Sequence, residues 1–183
     1  MTQRMPCERH WRSDRNMAYR NKTYVAFDGD SDIRSYWLMK AWKQNDNTTF
    51  NFHDAHDLRQ ARDTSTEDTI KRSLRDRMNN SKVFVLLVGR NTKNLYRYVR
   101  WEIDLALSMN LPIIVVNLNQ QRSHDGALCP PILRDALAMH VSFSPKILQF
   151  ALEAWGTWHY EHQRNGKSGP FHYNAEIYKE LGL

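Results

Sequence analysis

Two short and almost purely apolar runs constrain most strongly what this chain can fold into. They occupy residues 82–88 (KVFVLLV) and 112–117 (PIIVVN), and an amphipathic helix is predicted between them, over residues 98–109. Runs of this kind suit strands that are covered on both faces, as the central strands of a parallel sheet are. Strands that alternate with amphipathic helices are typical of βαβ units, so the sequence predicts an α/β domain.

Weaker patterns of the same kind predict the remaining elements. Ser65 and Asp68 form an imperfect capping box at the start of a helix whose Ile70, Leu74 and Met78 recur on one face. We further predict strands over residues 23–27, 50–53 and 140–143, the last of them weak, and helices over residues 33–43, 130–138 and 145–163. Right-handed crossovers then favour a flavodoxin-like, five-stranded parallel sheet in the order 2-1-3-4-5, with helices on both faces.

Three segments are predicted along the chain. Residues 1–21 form a basic, flexible N-terminal arm, residues 22–155 the folded domain, and residues 156–183 a C-terminal extension packed on that domain. Most of the net charge of +6 belongs to the arm and its junction, because residues 1–22 hold six basic and two acidic side chains. The rest of the chain is nearly neutral, which argues against a nucleic-acid-binding face.

Features that the sequence lacks exclude several classes of protein. Its apolar runs are far shorter than the roughly 20 residues that a membrane span needs, and its N-terminus has no apolar region of the kind a signal peptide requires. Cys7 and Cys129 are too few for a disulfide framework, so we expect cytoplasmic localisation. Residues 166–168 (GKS) resemble the end of a phosphate-binding loop, but Glu161 stands where its first glycine belongs, which excludes a P-loop NTPase.

The predicted strand order places a functional site at the carboxyl ends of the first and third strands, where the order reverses. The charged and titratable side chains that follow the first two strands are Asp28, Asp30, Asp32, Asp54, His56 and Asp57. The Gly89 loop and the predicted helix over residues 98–109 follow the third strand. Asp54 and His56 would form a polar wall that can hydrogen-bond ribose hydroxyls or phosphate.

Glu102 has the most informative position near this edge. It lies on the flank of the apolar stripe of its predicted helix, one turn after Tyr98, where the helix dipole helps to keep a carboxylate ionised. A partly shielded carboxylate at a cleft can stabilise positive charge that develops on a sugar ring. The alternative is a solvated helix glutamate that merely favours the N-terminal turn, and position alone leaves both interpretations open.

Trp101 lies on the side of that helix opposite the apolar stripe. An exposed tryptophan would anchor a protein interface, and the alternative is that a neighbouring loop or the C-terminal segment covers it.

Metal binding is not predicted. The stretch over residues 53–57 (HDAHD) and the pair His159 and His162 beside Glu161 each lack an obvious third partner, whereas zinc sites normally need three or four ligands. The loop over residues 118–130 is long for a simple connection, and such loops often carry function.

Five stretches of the chain follow one another in the order found in a known family. They are TYVAFDGDSD at the first strand, DAHDL after the second, SKVFVLLVGRNT at the third, and YVRWEIDLAL followed by LPIIVVNLN. Together they resemble the TIR-like proteins of bacterial antiphage defence, the B component of Thoeris systems, over about residues 22–150. The resemblance implies the flavodoxin-like TIR fold.

The resemblance also implies an NAD-cleaving enzyme. In TIR enzymes a glutamate early in the helix after the third strand, four residues after an aromatic residue, is essential for cleaving the nicotinamide–ribose bond of NAD. Tyr98 and Glu102 match that pattern. NAD would be the substrate, with no further cofactor, and the product would be a cyclic or conjugated ADP-ribose signal that activates a separate effector. We also expect a homo-oligomer and neither nucleic-acid nor membrane partners.

Glu102 would be the catalytic residue of such an enzyme. The side chains expected to bind NAD are Phe27, Asp28, Asp30, Asp54, His56 and Tyr98. The chain departs from the family pattern at Val99, where many TIR enzymes have cysteine, and in its first loop, which is acidic rather than serine-rich. Two alternatives keep the fold: a non-catalytic TIR-type interaction module, and a nucleoside deoxyribosyltransferase-like enzyme in which a carboxylate attacks the sugar directly.

Overall fold

An all-parallel sheet forms the centre of the fold. The computed structural model describes residues 3–5, 22–44, 53–54, 66–94 and 98–183. Its strands are β1 (Gln3–Met5), β2 (Lys22–Ala26), β3 (His53–Asp54), β4 (Val83–Val88), β5 (Ile113–Asn117), β6 (Ala138–Ser142) and β7 (Pro170–Tyr173). In these residues the seven strands form one sheet in the order β1-β7-β6-β5-β4-β2-β3. The neighbours β2 and β4 thus end side by side at the carboxyl edge.

Helices cover both faces of this sheet. They are α1 (Ile33–Gln44), α2 (Glu67–Met78), α3 (Tyr98–Ser108), α4 (Pro145–Arg164) and α5 (Ala175–Glu180). Side chains of α1, α4 and α5 pack on one face, and side chains of α2 and α3 pack on the other. None of the described helices is both long and apolar enough to cross a membrane.

The strand β4 shows why both faces have to be covered. Val85 and Leu87 pack in the core beneath α1 and α4, whereas Phe84 and Leu86 pack in the core beneath α3. All residues of β4 are buried. The prediction of a doubly covered central strand over residues 82–88 is therefore confirmed.

The sheet contains two strands more than the five that the sequence predicted. β7 lies in the predicted C-terminal extension and pairs with β6, and β1 lies in the predicted flexible arm and pairs with β7. The five predicted strands correspond to β2 through β6, which follow the order β3-β2-β4-β5-β6. The additional strands have only three and four residues, too few for an alternating pattern to stand out.

The region before β6 differs from its prediction. Instead of a helix over residues 130–138 there is one 3₁₀ turn at Pro131–Leu133, because β6 already begins at Ala138. The strand predicted to be weak is buried along its whole length.

The start of α2 also differs. The N-cap is Thr66, whose Oγ1 accepts the Thr69 N–H at 3.4 Å, so the predicted capping box of Ser65 and Asp68 does not form the cap. Ser65 lies outside the described residues. The predicted strand over residues 50–53 overlaps β3 only at its last residue, and residues 50–52 also lie outside the described part of the chain.

Candidate functional site

The loops that follow β2 and β4 meet at the carboxyl edge of the sheet. Thr92 Oγ1 donates a hydrogen bond to Asp32 Oδ2 at 3.3 Å and accepts one from the Gly89 N–H at 2.8 Å. Asn91 Nδ2 donates to Ser31 Oγ at 2.8 Å. These contacts join the two loops into one wall at the point where the strand order reverses.

Gly89 lies where the two loops approach closely. A Cβ atom at this position would overlap the Asp32 carboxylate, so any other residue here would require the Asp32 side chain to move.

Two buried carboxylates make this edge acidic. Asp28 and Asp32 are both buried, and Asp28 Oδ1 accepts the Asp30 N–H at 3.0 Å. The pKa of Asp32 is raised, first by burial and then by the charge of Asp28, while hydrogen bonds from Thr92 and Gly89 oppose the shift. The two buried carboxylates favour a cationic group beside them.

Glu102 lies on the buried side of α3, and only 6% of it is exposed. Tyr24 Oη donates a hydrogen bond to Glu102 Oε1 at 2.6 Å. Burial raises the pKa of Glu102 to about 7, although the hydrogen bond from Tyr24 and the charge of Arg77 act in the opposite direction. The alternative of a solvated helix glutamate is therefore wrong. Burial thus opposes the expected effect of the helix dipole and favours the protonated form of Glu102.

Tyr24 holds the glutamate in one place. It is fully buried in β2, and its ring stacks on that of Phe84 in β4 with centroids 5.9 Å apart. Tyr24 comes two residues before the end of β2, so its contact with Glu102 lies about 7 Å beneath the carboxyl edge. Glu102 is thus fixed below the edge rather than on an exposed rim.

Tyr98, at the start of α3, lies nearer the surface than Glu102. Tyr98, the first residue of α3, is 47% exposed, and its ring meets that of Trp101 edge-on with centroids 5.6 Å apart. Because Tyr98 and Glu102 are one helical turn apart, the two side chains lie on neighbouring parts of the same helix face.

The other side chains expected to bind NAD differ in their placement. Asp30 is exposed on the loop after β2. Phe27 is buried and stacks on Tyr36 with ring centroids 4.5 Å apart, so it packs beneath that loop in the core. Asp54 ends β3 and pairs with Thr23, so its backbone lies about 10 Å below the carboxyl edge and not beside the loop after β2, as was expected. His56 lies outside the described residues.

Trp101 is half-buried rather than exposed. Lys71 of α2 places its Nζ 4.7 Å from the centroid of the indole ring, so α2 provides part of this cover. Between α2 and α3 lies a groove of about 640 Å³, whose lining includes Lys71, Arg72, Arg75, Trp101 and Asp104. This mainly cationic groove is chemically distinct from the acidic carboxyl edge.

Sequence reasoning did not assign Tyr24 or Thr92 to the site, and it named Gly89 only as the start of a loop at the predicted edge. For Tyr24 a signal exists, because alternation along β2 places it on the same face as Ala26, toward α3. The contacts of Gly89 and Thr92 with the loop after β2 have no local signal in the sequence.

One comparison with known families decides where this arrangement belongs. The family model described as Thoeris protein ThsB, TIR-like domain, matches residues 24–123. The match spans more than half of the chain and includes β2, the acidic loop, Gly89 and Glu102. The chain belongs to this family. The resemblance found in the sequence is therefore confirmed, and the ThsB TIR-like domain places the protein in Thoeris antiphage defence.

The ThsB match ends within the loop after β5. Residues 124–183 lie beyond it, and they supply β6, α4, β7 and α5. The sheet of the ThsB TIR-like domain is thus extended by β6 and β7, and α4 and α5 pack against it.

Proposed function

We propose that this ThsB TIR-like protein cleaves the nicotinamide–ribose bond of NAD and converts the ADP-ribose portion into a cyclic or conjugated signal for a separate effector. The observation that supports this most is Glu102, a buried carboxyl group held by Tyr24 beneath the acidic edge. Its position after the aromatic residue Tyr98 also agrees with the pattern of NAD-cleaving TIR enzymes.

The proposed reaction is a dissociative displacement. The bond between ribose C1′ and the nicotinamide nitrogen breaks, and its electron pair leaves with nicotinamide, which becomes neutral. The ribosyl cation that remains is stabilised by the Glu102 carboxylate, whose effect is strengthened by its low-dielectric surroundings. An adenine nitrogen, water or another acceptor then donates an electron pair to C1′ and releases any proton it carries.

The remaining residues would position the substrate. Asp28 and Asp30 would orient the cationic end of NAD and its ribose hydroxyls, with Tyr98 at the surface end of α3. Phe27 would contribute indirectly, because its contact with Tyr36 in the core holds the loop after β2 in position.

A direct assay tests this function. Purified protein is incubated with NAD, alone and with extract of phage-infected cells, and the products are identified by mass spectrometry. We expect release of nicotinamide by the wild type and a loss of at least about 100-fold in Glu102→Gln. Glu161→Gln, which changes an exposed glutamate, serves as the matched control and should keep wild-type turnover.

The outcomes separate the candidate functions. Unchanged turnover in Glu102→Gln would show that Glu102 is not the catalytic residue. A covalent glycosyl adduct on Glu102 would favour the deoxyribosyltransferase-like alternative. Absence of turnover by the wild type, even with extract of infected cells, would favour the interaction module.

Self-association is part of the proposal. Trp37 and Leu38, neighbours on α1, are 51% and 50% exposed, and exposed large apolar side chains mark interfaces. We expect the double variant Trp37→Ala and Leu38→Ala to be a folded monomer, while Tyr160→Ala on α4 keeps the oligomer. Sedimentation velocity measures both, and a monomeric wild type would contradict this part of the proposal.

A further inference from the structure

A cluster of three metal-ligating side chains lies away from the carboxyl edge. His124, Cys129 and His140 bring one potential ligand atom each to within 4.8 Å of one another. His140 is the central residue of β6, and the other two belong to the segment between β5 and β6. The cluster therefore joins that long loop to the sheet.

A tight turn in the loop orients the two outer members. Asp125 Oδ1 accepts the N–H groups of Ala127 at 2.8 Å and Leu128 at 3.0 Å, and the Cys129 N–H donates to the Asp125 carbonyl at 2.9 Å. This turn places His124 and Cys129 beside β6, where the imidazole rings of His124 and His140 meet edge-on with centroids 4.8 Å apart.

The cluster contains polar atoms whose hydrogen-bonding capacity is unused. His140 is 0% exposed, and neither of its ring nitrogens has a hydrogen-bond partner within the described residues. The same holds for Nδ1 of His124. Buried polar groups are normally paired, and a fully buried imidazole without any partner is costly. A metal ion that accepts the electron pair of one ring nitrogen of each histidine removes part of that cost, and the N–H of His140 stays without a partner among the described residues.

We propose that His124, Cys129 and His140 bind one Zn²⁺ ion, which fastens the loop between β5 and β6 to the sheet. Two imidazoles and one thiolate are a donor set that zinc prefers, and three protein ligands leave a fourth position for water. Tetrahedral coordination needs ligand atoms about 3.5 Å apart, so small side-chain rotations suffice to close the site.

Burial affects the two kinds of ligand in opposite ways. It is the largest cause that lowers the pKa of His140 to about 3, which keeps the imidazole neutral. It also raises the pKa of the Cys129 thiol to about 12, so this group is protonated until a metal ion binds. When the zinc–sulfur bond forms, the thiol proton is released to solvent, because a coordinating thiol is deprotonated by the ion's charge.

The proposal is independent of NAD chemistry. All three ligands lie beyond the family match, which ends at residue 123, and β6 is separated from β2 by β5 and β4. The sequence did not reveal the site because its ligands are spaced widely and irregularly and meet only after β6 is placed. The histidine clusters singled out in the sequence, at residues 53–57 and at His159 and His162, are different ones.

The metal content of the full chain provides the first test. The protein is purified with an affinity tag that contains no histidine, and zinc is measured by plasma mass spectrometry after dialysis. We expect about one zinc per chain. After removal of zinc, added Co²⁺ should produce a thiolate-to-cobalt charge-transfer band and the intense visible bands of a tetrahedral site. Zinc far below one per chain together with no charge-transfer band would overturn the proposal.

Paired variants then assign the ligands. Cys129→Ser should abolish the charge-transfer band, whereas Cys7→Ser, the other cysteine, should retain it. His124→Gln should weaken zinc binding at least about 100-fold, whereas His162→Gln, also half-buried, should leave it unchanged. Circular dichroism checks that each variant is folded. A band that persists in Cys129→Ser, or unchanged zinc binding in folded His124→Gln, would overturn the assignment.

Discussion

Glu102 is buried as deeply as many apolar side chains, yet the proposed reaction requires its ionised form. Desolvation favours its protonated form, while the Tyr24 hydroxyl and the charge of Arg77 favour the carboxylate. The balance brings its pKa to about 7, so both forms are populated near neutral pH. A carboxylate in this state is desolvated enough to act strongly and remains available in its charged form.

The raised pKa of Glu102 makes the stability of the protein depend on pH. Because the folded state binds this proton more tightly than the unfolded state, the contribution of Glu102 to stability is largest below a pH of about 4.5 and declines as the pH rises toward 7. The difference in unfolding free energy between wild type and Glu102→Gln should therefore shift by about 3 kcal/mol between about pH 4 and about pH 8. Urea denaturation at each pH measures it.

The control for this prediction is Glu67→Gln. Glu67 pairs with Lys71 on the exposed surface of α2, so its replacement should give a much smaller shift over the same range. An equal shift in both variants would contradict the assignment of the titration to Glu102.

The hydrogen bond from Tyr24 predicts a change in the pH profile of catalysis. Tyr24→Phe removes a donor that favours the carboxylate, so the pKa of Glu102 should rise further, and the proposed NAD cleavage should need a pH higher by about one unit. The readout is the dependence of kcat/KM on pH. A reduced rate with an unshifted profile would assign Tyr24 a purely structural role.

The contact between Gly89 and Asp32 predicts the effect of adding one methyl group. In Gly89→Ala the new Cβ would collide with the Asp32 carboxylate, and we expect a loss of about 1–3 kcal/mol of stability. Gly156→Ala is the matched control, because apart from its chain neighbours and the backbone of α4 no atom lies within 4 Å of the position of its Cβ. There the higher helix propensity of alanine should stabilise the protein by up to about 1 kcal/mol. Thermal unfolding distinguishes the two outcomes.

At the scale of elements, the start of α2 depends on one hydroxyl group. Thr66 Oγ1 accepts the Thr69 N–H, which would otherwise have no partner in the first turn. Thr66→Ala should destabilise the protein by about 1 kcal/mol, whereas Ser65→Ala should change its stability little. Denaturant titrations of both variants measure this. A larger loss of stability in Ser65→Ala would support Ser65 as the N-cap, as the sequence predicted.

Elements with strong local patterns could be predicted from the sequence. The runs that became β4 and β5, and the stripe of Ile70, Leu74 and Met78 on α2, are buried as expected. The strand β7 was missed because its four residues include proline and a histidine, so tertiary pairing with β6 decides its conformation.

Some residues of the candidate site could likewise be predicted from the sequence, whereas their long-range contacts could not. Glu102 and Asp28 could be found, because one lies at a fixed distance from an aromatic residue and the other directly follows a strand. The contacts of Glu102 with Tyr24 and of Asp32 with Thr92 join residues 78 and 60 positions apart, so no local pattern indicates them. The histidine–cysteine cluster likewise depends on the packing of a loop against β6.

At the scale of the whole molecule, the C-terminal part belongs to the same core as the family domain. α4 continues without a break across residue 155, where a domain boundary was predicted. Phe171 and Tyr173 of β7 and Tyr178 of α5 are buried in the core that also contains Val25 and Val85. The residues beyond the family match therefore complete one face of the sheet.

This continuity predicts that residues 22–155 do not fold on their own. Such a fragment loses the second half of α4 and all of β7, so β6, which is buried along its length, becomes an open apolar edge. We expect it to aggregate or to unfold without cooperativity. A chain that lacks only residues 1–16 loses the three-residue edge strand β1 and should keep a cooperative transition. Calorimetry and size-exclusion chromatography compare the two, and a monomeric, cooperatively unfolding fragment 22–155 would show that β7 and α5 are an appendage rather than part of the core.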